Sequence, residues 1–317
     1  MAFSTERILT NNLNIGFNVM TCLSFKDRYN LCLTSKSLFE TLFKKYQHNE
    51  IIKIKFEDYR LYDIWRNVKF EIDLKYCYKI TDLSMLGNIH TLNLRYCYNI
   101  TDVSMLGNVY ALDLSYCSNI TDVSMLGNVH TLNLKYCYNI TDVSMLGNVY
   151  SFNLSCCYNI TDVSMLGAVH NLDLSCCSKI TDVSMLRNIY SLNLSGCFNI
   201  TDVSMLGNVY SLNLSGCYKI TDVSMLGKNH IINLTRCDNI TDVSMLRNVH
   251  TLSLCDCNNI TDVSMLGKVH TLDLSYCPNI TDVSMLGKVH TLDLRYCRNI
   301  LKYQIKELEK TVKNLKY

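Results

Sequence analysis

A segment of twenty residues is repeated along most of this chain. The stretch "TDVSMLGNVHTLNLKYCYNI", residues 121–140, is followed directly by a near copy, and leucine recurs at twelve positions, every twentieth residue from Leu74 to Leu294. So short a unit cannot bury its own apolar residues, so each copy must pack against its neighbours. The repeat therefore predicts a stacked solenoid.

Each copy contains two local patterns. Residues 109–120 read V-x-x-L-x-L-x-x-C-x-x-I, and the alternation at Leu112 and Leu114 predicts a half-buried strand of about six residues. Residues 121–127, T-D-V-S-M-L-G, begin with helix-capping residue types and end in glycine. Too few residues remain for an average helix of about 11 residues, so this half predicts a single 3₁₀ turn.

The combined pattern V-x-x-L-x-L-x-x-C-x-x-I-T-D-V resembles the leucine-rich repeat of the cysteine-containing type, over residues 69–300. The resemblance implies an α/β solenoid, a right-handed superhelix of twelve coils with one parallel sheet on its concave face and short 3₁₀ segments on its convex face. At about 4.8 Å per strand, the sheet would be roughly 55 Å long.

Both ends of the stack need a cover. Residues 51–68 alternate at Ile52, Ile54 and Phe56 but lack the cysteine and the T-D-V turn, which indicates a degenerate capping coil or linker. Residues 301–317 place Leu301, Ile305, Leu308, Val312 and Leu315 at helical spacing. This segment is predicted to be a C-terminal capping helix.

Residues 1–50 differ from the repeat and are predicted to form a small helical module. The pattern L-S-x-x-D-x-x-x-L-x-L-x-S-K-x-x-F, read from Leu23 to Phe39, resembles the F-box, although that family's Leu-Pro pair has no counterpart near Asn11 and Asn12. The resemblance implies docking on a Skp1-like adaptor. The adaptor-facing or core residues would be Ile15, Val19, Leu23, Leu31 and Leu38. Without the resemblance, the module would be read as a solenoid cap.

The near-identity of the copies and the abundant Asn, Ile, Tyr and Lys also resemble the F-box and leucine-rich-repeat proteins of giant viruses of amoebae. The first residues have no long apolar run, so neither a signal peptide nor a membrane span is indicated. We expect a cytoplasmic protein, monomeric apart from its complex. The net charge of +2 and the lack of a basic stripe give no indication of a nucleic-acid partner.

The repeated polar residues do not indicate an enzyme or a cofactor. An Asp and a Ser recur in every copy, whereas catalysis needs one unique site, so Asp122 and its equivalents are interpreted as caps of the convex turn. The aligned His230, His250, His270 and His290 are candidates for metal binding or pH sensing, but tyrosine occupies the same position in other copies. Twelve of the seventeen cysteines share one repeat position, which indicates buried thiols with a structural role.

A partner site must come from positions that vary. Two residues after the second leucine of each copy the chain carries large, small and charged residues in turn. The small residues would leave a shallow dip flanked by aromatic ridges, and tyrosine offers wide contact area at low entropy cost. A cargo would lie over coils four to nine, anchored by the tyrosines and selected by Arg236 and Asp256. The predicted cargo-binding residues are Tyr76, Tyr96, Tyr116, Tyr136, Arg236, Asp256, Tyr276 and Tyr296. Random drift in a duplicated array remains the alternative explanation.

Together these features predict the substrate-recognition subunit of a Skp1–cullin–F-box-type ubiquitin ligase, with a protein or peptide cargo on the concave face. The alternative is a free-standing interaction scaffold or decoy in which residues 1–68 only cap the solenoid.

Overall fold

The computed structural model describes residues 71–84, 86–87 and 89–317. These form one sheet of thirteen parallel strands in chain order, and each coil is numbered after its strand. Strands β1 to β13 are Glu71–Asp73, Thr91–Asn93, Ala111–Asp113, Thr131–Asn133, Ser151–Asn153, Asn171–Asp173, Ser191–Asn193, Ser211–Asn213, Ile231–Asn233, Thr251–Ser253, Thr271–Asp273, Thr291–Asp293 and Asn314–Lys316. In each pair of successive strands from β1 to β12, a strand residue pairs with the one twenty positions later, as Leu112 does with Leu132.

The other side of coils 2 to 11 is a 3₁₀ turn in each case, as the sequence predicted. These turns are Ser104–Leu106, Ser124–Leu126, Ser144–Leu146, Ser164–Leu166, Ser184–Leu186, Ser204–Leu206, Ser224–Leu226, Ser244–Asn248, Ser264–Lys268 and Ser284–Leu286. The predicted caps are also confirmed, because the Oδ1 atom of Asp122 accepts a 2.9 Å hydrogen bond from the Ser124 backbone N–H. The fold is a leucine-rich-repeat solenoid.

The core is a continuous column between the sheet and the turns. In each interior coil the apolar residue at the centre of the strand, the leucine just after the strand, the cysteine, the isoleucine and the leucine of the turn are almost fully buried, as Leu112, Leu114 and Ile120 illustrate. The turns pack very closely: a side-chain carbon added to Gly127 would clash with the Met145 carbonyl oxygen of the next coil. Glycine is favoured there because of the close approach of the next coil.

The strands have three residues, not the predicted six. Beyond each strand from β1 to β12 except β10, the side chain of the last strand residue accepts a hydrogen bond from a backbone N–H, as when Asn133 Oδ1 accepts a 3.1 Å hydrogen bond from the Lys135 N–H. The next residue then takes a left-handed conformation, with φ of 61° at Tyr136. Together these features turn the chain out of the extended region.

The C-terminal cover differs from the predicted helix over residues 301–317. Helix α1, Lys302–Glu309, is followed by β13, in which Leu315 pairs with Leu292 of β12. The Gln304 side chain on α1 accepts a 3.2 Å hydrogen bond from the Val283 N–H. The end of the core is therefore covered by a short helix and by a thirteenth strand, which continues the ladder of the sheet.

Asn229 interrupts the core of coil 9. It occupies the position of Val209 and Val249 in the adjacent coils and is 2 % exposed. Its Nδ2 atom donates to the carbonyls of Leu206 and Val209, at 2.9 and 2.5 Å. Its Oδ1 atom has no hydrogen-bond partner among the described residues.

We expect Asn229→Val to raise the free energy of unfolding by about 1 kcal/mol, because it removes a buried unpaired oxygen and restores the packing of the other coils. Urea unfolding of the full chain measures the change. The reverse substitution in coil 10, Val249→Asn, serves as the matched control and should destabilise. A decrease in stability on Asn229→Val would contradict the prediction.

Candidate partner-binding surface

The turn after each strand presents one residue of the left-handed conformation, and these residues form what we call the left-handed row. All of them have φ between 59° and 74°. Members of the row are Tyr76, Tyr96, Tyr116, Tyr136, Cys156, Cys176, Gly196, Gly216, Arg236, Asp256, Tyr276 and Tyr296. The eight predicted cargo-binding residues all belong to it. Because every member has the same backbone geometry, their side chains leave the concave edge in the same direction.

The tyrosines of the left-handed row stack on one another. The ring centroids of Tyr76 and Tyr96, of Tyr96 and Tyr116, and of Tyr116 and Tyr136 are 4.8, 4.3 and 4.5 Å apart. A second stack, Tyr276 on Tyr296 at 4.3 Å, lies near the other end. Since neighbouring rings cover each other's faces, these stacks present ring edges and hydroxyls to a partner.

In coils 5 to 8 the left-handed row has only small residues. Cys156 is 6 % exposed, Cys176 is exposed, and Gly196 and Gly216 have no side chain. A hydrogen bond with the Cys156 thiol, together with burial, raises the pKa of Tyr158 to about 12. The structure thus brings together the small residues that the sequence predicted would form a dip.

The charged members of the row are already paired. Arg236 Nε lies 3.1 Å from Asp256 Oδ2, so the two residues predicted to select cargo neutralise each other across adjacent coils. A pair this exposed contributes little to stability. Any partner that uses Arg236 or Asp256 would first have to separate them.

A second line of rings, the prestrand aromatic row, precedes the strands along the opposite edge of the concave face. Its members are His90, Tyr110, His130, Tyr150, His170, Tyr190, Tyr210, His230, His250, His270 and His290. Successive rings are stacked, with centroids 4.5–4.8 Å apart. The alignment expected for His230, His250, His270 and His290 is therefore present.

The histidine quartet is not arranged as a chelate. His230, His250, His270 and His290 stack within 19° of parallel, so the in-plane lone pairs of neighbouring rings run side by side rather than converging on one ion. Desolvation, and then the neighbouring imidazoles of His290 and His250, lower the pKa of His270. Within the described ranges no group of three His, Cys, Asp or Glu side chains is placed to hold a metal.

The repeated cysteines form a thiol ladder inside the loops, as predicted. The Cys117 thiol donates to the Leu94 carbonyl of the preceding coil at 3.1 Å, and the equivalent bond recurs from Cys97 to Cys297. Burial raises the pKa of Cys117 to about 12. These thiols are therefore poor nucleophiles and act as structural donors.

Two exposed rows were missed in the sequence. Outer rings lie two residues beyond the left-handed row, at Tyr78, Tyr98, Tyr138, Tyr158, Phe198 and Tyr218. Ten methionines, one per coil from Met105 to Met285, are 44–63 % exposed on the convex face. Both rows repeat every twenty residues, so the sequence contains a signal for them. Their members do not occupy the buried positions of the repeat, and an apolar residue at any other position of a coil is left on the surface.

The predicted adaptor-binding residues Ile15, Val19, Leu23, Leu31 and Leu38 lie outside the described residues, as do the helical module of residues 1–50 and the capping coil of residues 51–68. In the described part of the chain, no helix is long and apolar enough to cross a membrane.

No protein-family model matches the chain, and no curated protein matches it. An internalin, InlF of Listeria monocytogenes, is similar over 78 % of this chain and 84 % of its own, with 21 % identity and a TM-score of 0.48. InlJ of the same bacterium, whose functional domain includes a cysteine ladder, is similar over 71 % of this chain and 67 % of its own, with 20 % identity and a TM-score of 0.32. A chain of the yeast Rad7 and Elc1 complex is similar over 72 % of this chain and 74 % of its own, with 18 % identity and a TM-score of 0.46. The fold follows from the repeat geometry itself.

Proposed function

We propose that this chain is the substrate-recognition subunit of a Skp1–cullin–F-box-type ubiquitin ligase in the cytoplasm. Residues 1–50 would bind a Skp1-like adaptor, and the concave face of the solenoid would hold a protein cargo. The adaptor role rests on the F-box-like spacing from Leu23 to Phe39. The cargo role rests on one observation: two stacked aromatic rows line opposite edges of a long, open sheet.

A solenoid suits this role because of its extended shape. Each coil contacts only its neighbours, so the concave face grows by one strand per coil without any change in the core. The stacked tyrosines lose little conformational freedom on binding, because adjacent rings already fix them. The Asp and Ser residues of the convex turns recur from coil to coil, so they do not form the single unique site that catalysis requires.

The adaptor role is tested with the full chain and a purified Skp1-type adaptor in a pull-down assay. We expect the wild-type chain to bind, and Leu23→Ala combined with Leu31→Ala to reduce capture at least tenfold, because a few anchor residues carry most of the binding energy of an interface. The double substitution Leu23→Met with Leu31→Met keeps the apolar volume and should retain most binding.

Thermal melting of the solenoid, followed by circular dichroism, checks that the alanine variant remains folded. A wild-type chain that does not bind the adaptor would remove the ligase role and leave the interaction scaffold as the function.

A further inference from the structure

The cations of the concave face fall into two groups. Lys75, Arg236 and Arg295 each lie within 3.5 Å of a carboxylate, at Asp73, Asp256 and Asp293. By contrast, Arg95 and Lys135 have no carboxylate within 4 Å among the described residues.

Arg95 and Lys135 lie against the tyrosine stack instead. The Arg95 guanidinium carbon is 4.9 Å from the Tyr96 ring centroid and 5.3 Å from that of Tyr116. The Lys135 ammonium is 5.4 Å from the Tyr136 ring centroid. Arg95 Nη2 also donates a 3.3 Å hydrogen bond to the Tyr96 hydroxyl. None of these contacts with the aromatic stack neutralises either positive charge.

The concave side of coils 2 to 4 therefore carries a local positive excess. The residues 90–99, 110–119 and 130–139 contain two cations, Arg95 and Lys135, and one carboxylate, Asp113. Asp113 Oδ1 accepts a 2.8 Å hydrogen bond from the Ser115 N–H, which already engages part of that carboxylate. Between the two cations, Ser115 is 1 % exposed, and its Oγ has no hydrogen-bond partner within the described part of the chain.

The spacing of the two cations matches one type of extended chain. Arg95 and Lys135 are two coils apart, which corresponds to about 9.5 Å at the usual distance between strands. A polyproline II segment has three residues per turn and rises about 3.1 Å per residue, so side chains three positions apart lie about 9.3 Å apart on the same face. An ordinary β-strand places residues three positions apart on opposite faces.

We propose that coils 2 to 4 bind an acidic cargo segment in the polyproline II conformation, with carboxylates three residues apart facing Arg95 and Lys135. Proline rings of the segment would pack on the edges of Tyr96, Tyr116 and Tyr136, as such segments pack in aromatic-lined grooves. This inference names the cargo class of the concave face and so rests on the proposed function.

The test uses a fluorescently labelled peptide, (Pro-Pro-Glu)₄, and the full chain in a fluorescence polarisation titration. We expect saturable binding that weakens as salt is raised, because the contacts are charge-based and exposed. The neutral peptide (Pro-Pro-Gln)₄ and a peptide of the same composition with its four glutamates adjacent should each bind at least tenfold more weakly. Equal binding by either peptide would overturn the proposal.

Matched variants locate the site. Arg95→Gln combined with Lys135→Gln, and separately Tyr116→Ala combined with Tyr136→Ala, should each weaken binding at least tenfold. The controls are Arg298→Gln, a cation of the last coil, and Tyr276→Ala combined with Tyr296→Ala, the other stack. If the double variant Arg95→Gln with Lys135→Gln bound the peptide as tightly as the wild type does, the proposed site would be wrong.

Two further results separate the possible failures. A single-stranded oligonucleotide that competes as well as the peptide at equal charge would show a general polyanion surface and overturn the acidic-peptide proposal. Adaptor capture depends on residues 1–50, so a chain that binds the adaptor but not the peptide would overturn only this inference. A chain that binds the peptide but not the adaptor would overturn the ligase role instead.

Discussion

Replacing Leu174 with alanine should lower the free energy of unfolding by about 3 to 5 kcal/mol. Leu174 is fully buried in coil 6, its N–H donates to the Asn193 carbonyl at 2.8 Å, and its own carbonyl accepts the Cys197 thiol at 3.1 Å. The substitution leaves a cavity in the middle of the stack, where each coil is stabilised only by its two neighbours.

Because coil 6 connects two halves of the solenoid, we also expect urea unfolding of Leu174→Ala to separate into two transitions. Circular dichroism and tyrosine fluorescence can be followed in the same titration. Leu174→Met keeps the volume and should cost less than about 1.5 kcal/mol. A single transition with unchanged midpoint in the alanine variant would show that coupling between coils is far stronger than nearest-neighbour packing implies.

Acid should unfold the solenoid steeply, because the same carboxylate cap recurs in ten coils. In each cap a hydrogen bond from a backbone N–H lowers the pKa of the aspartate, and the carboxylates are those of Asp102, Asp122, Asp142, Asp162, Asp182, Asp202, Asp222, Asp242, Asp262 and Asp282. The folded pKa lies below the unfolded value of about 3.9, so the unfolded chain binds more protons in this range.

The carboxylate contribution to stability is therefore fully present above about pH 5 and is lost as the pH falls through the folded pKa values, below about 3.9. Melting temperatures measured between pH 6 and pH 2.5 test this expectation. The triple variant Asp162→Asn, Asp182→Asn and Asp202→Asn keeps an acceptor oxygen at each cap but removes three titrating groups. Its melting temperature should change less with pH than that of the wild type. A wild-type melting temperature that stays constant to pH 2.5 would contradict the role of the caps.

The regular part of the fold could be predicted from the sequence because the period places equivalent residues in equivalent surroundings. The buried leucines, the 3₁₀ turns, the thiol ladder and the aspartate caps all follow from that one constraint. The length of the strands could not be predicted, because each strand ends before a residue in the left-handed backbone conformation. In ten coils that residue is tyrosine, cysteine, arginine or aspartate. Only Gly196 and Gly216 have the residue type that signals this conformation.

The C-terminal strand was missed for a different reason. Leu308, Val312 and Leu315 fit a helical spacing as well as a helix followed by a strand, and the open edge of β12 decides in favour of pairing at Leu315.

The candidate site was predictable in part. Register alone puts the tyrosines within stacking distance, but the pairing of Arg236 with Asp256 depends on how two long side chains reach each other. The sequence likewise does not show that Arg95 and Lys135 have no carboxylate within 4 Å among the described residues, because that depends on which side chains the fold brings together.

The constant step of twenty residues has a consequence for how such a gene can change. Since Leu112 pairs with Leu132 and Leu132 pairs with the equivalent Phe152, removing or adding one whole coil would join residues that already match in register. Recombination between near-identical copies would therefore yield folded proteins whose recognition surface is shorter or longer by about 4.8 Å per event. The reach of the concave face can thus evolve in whole coils, without a new loop or a new core.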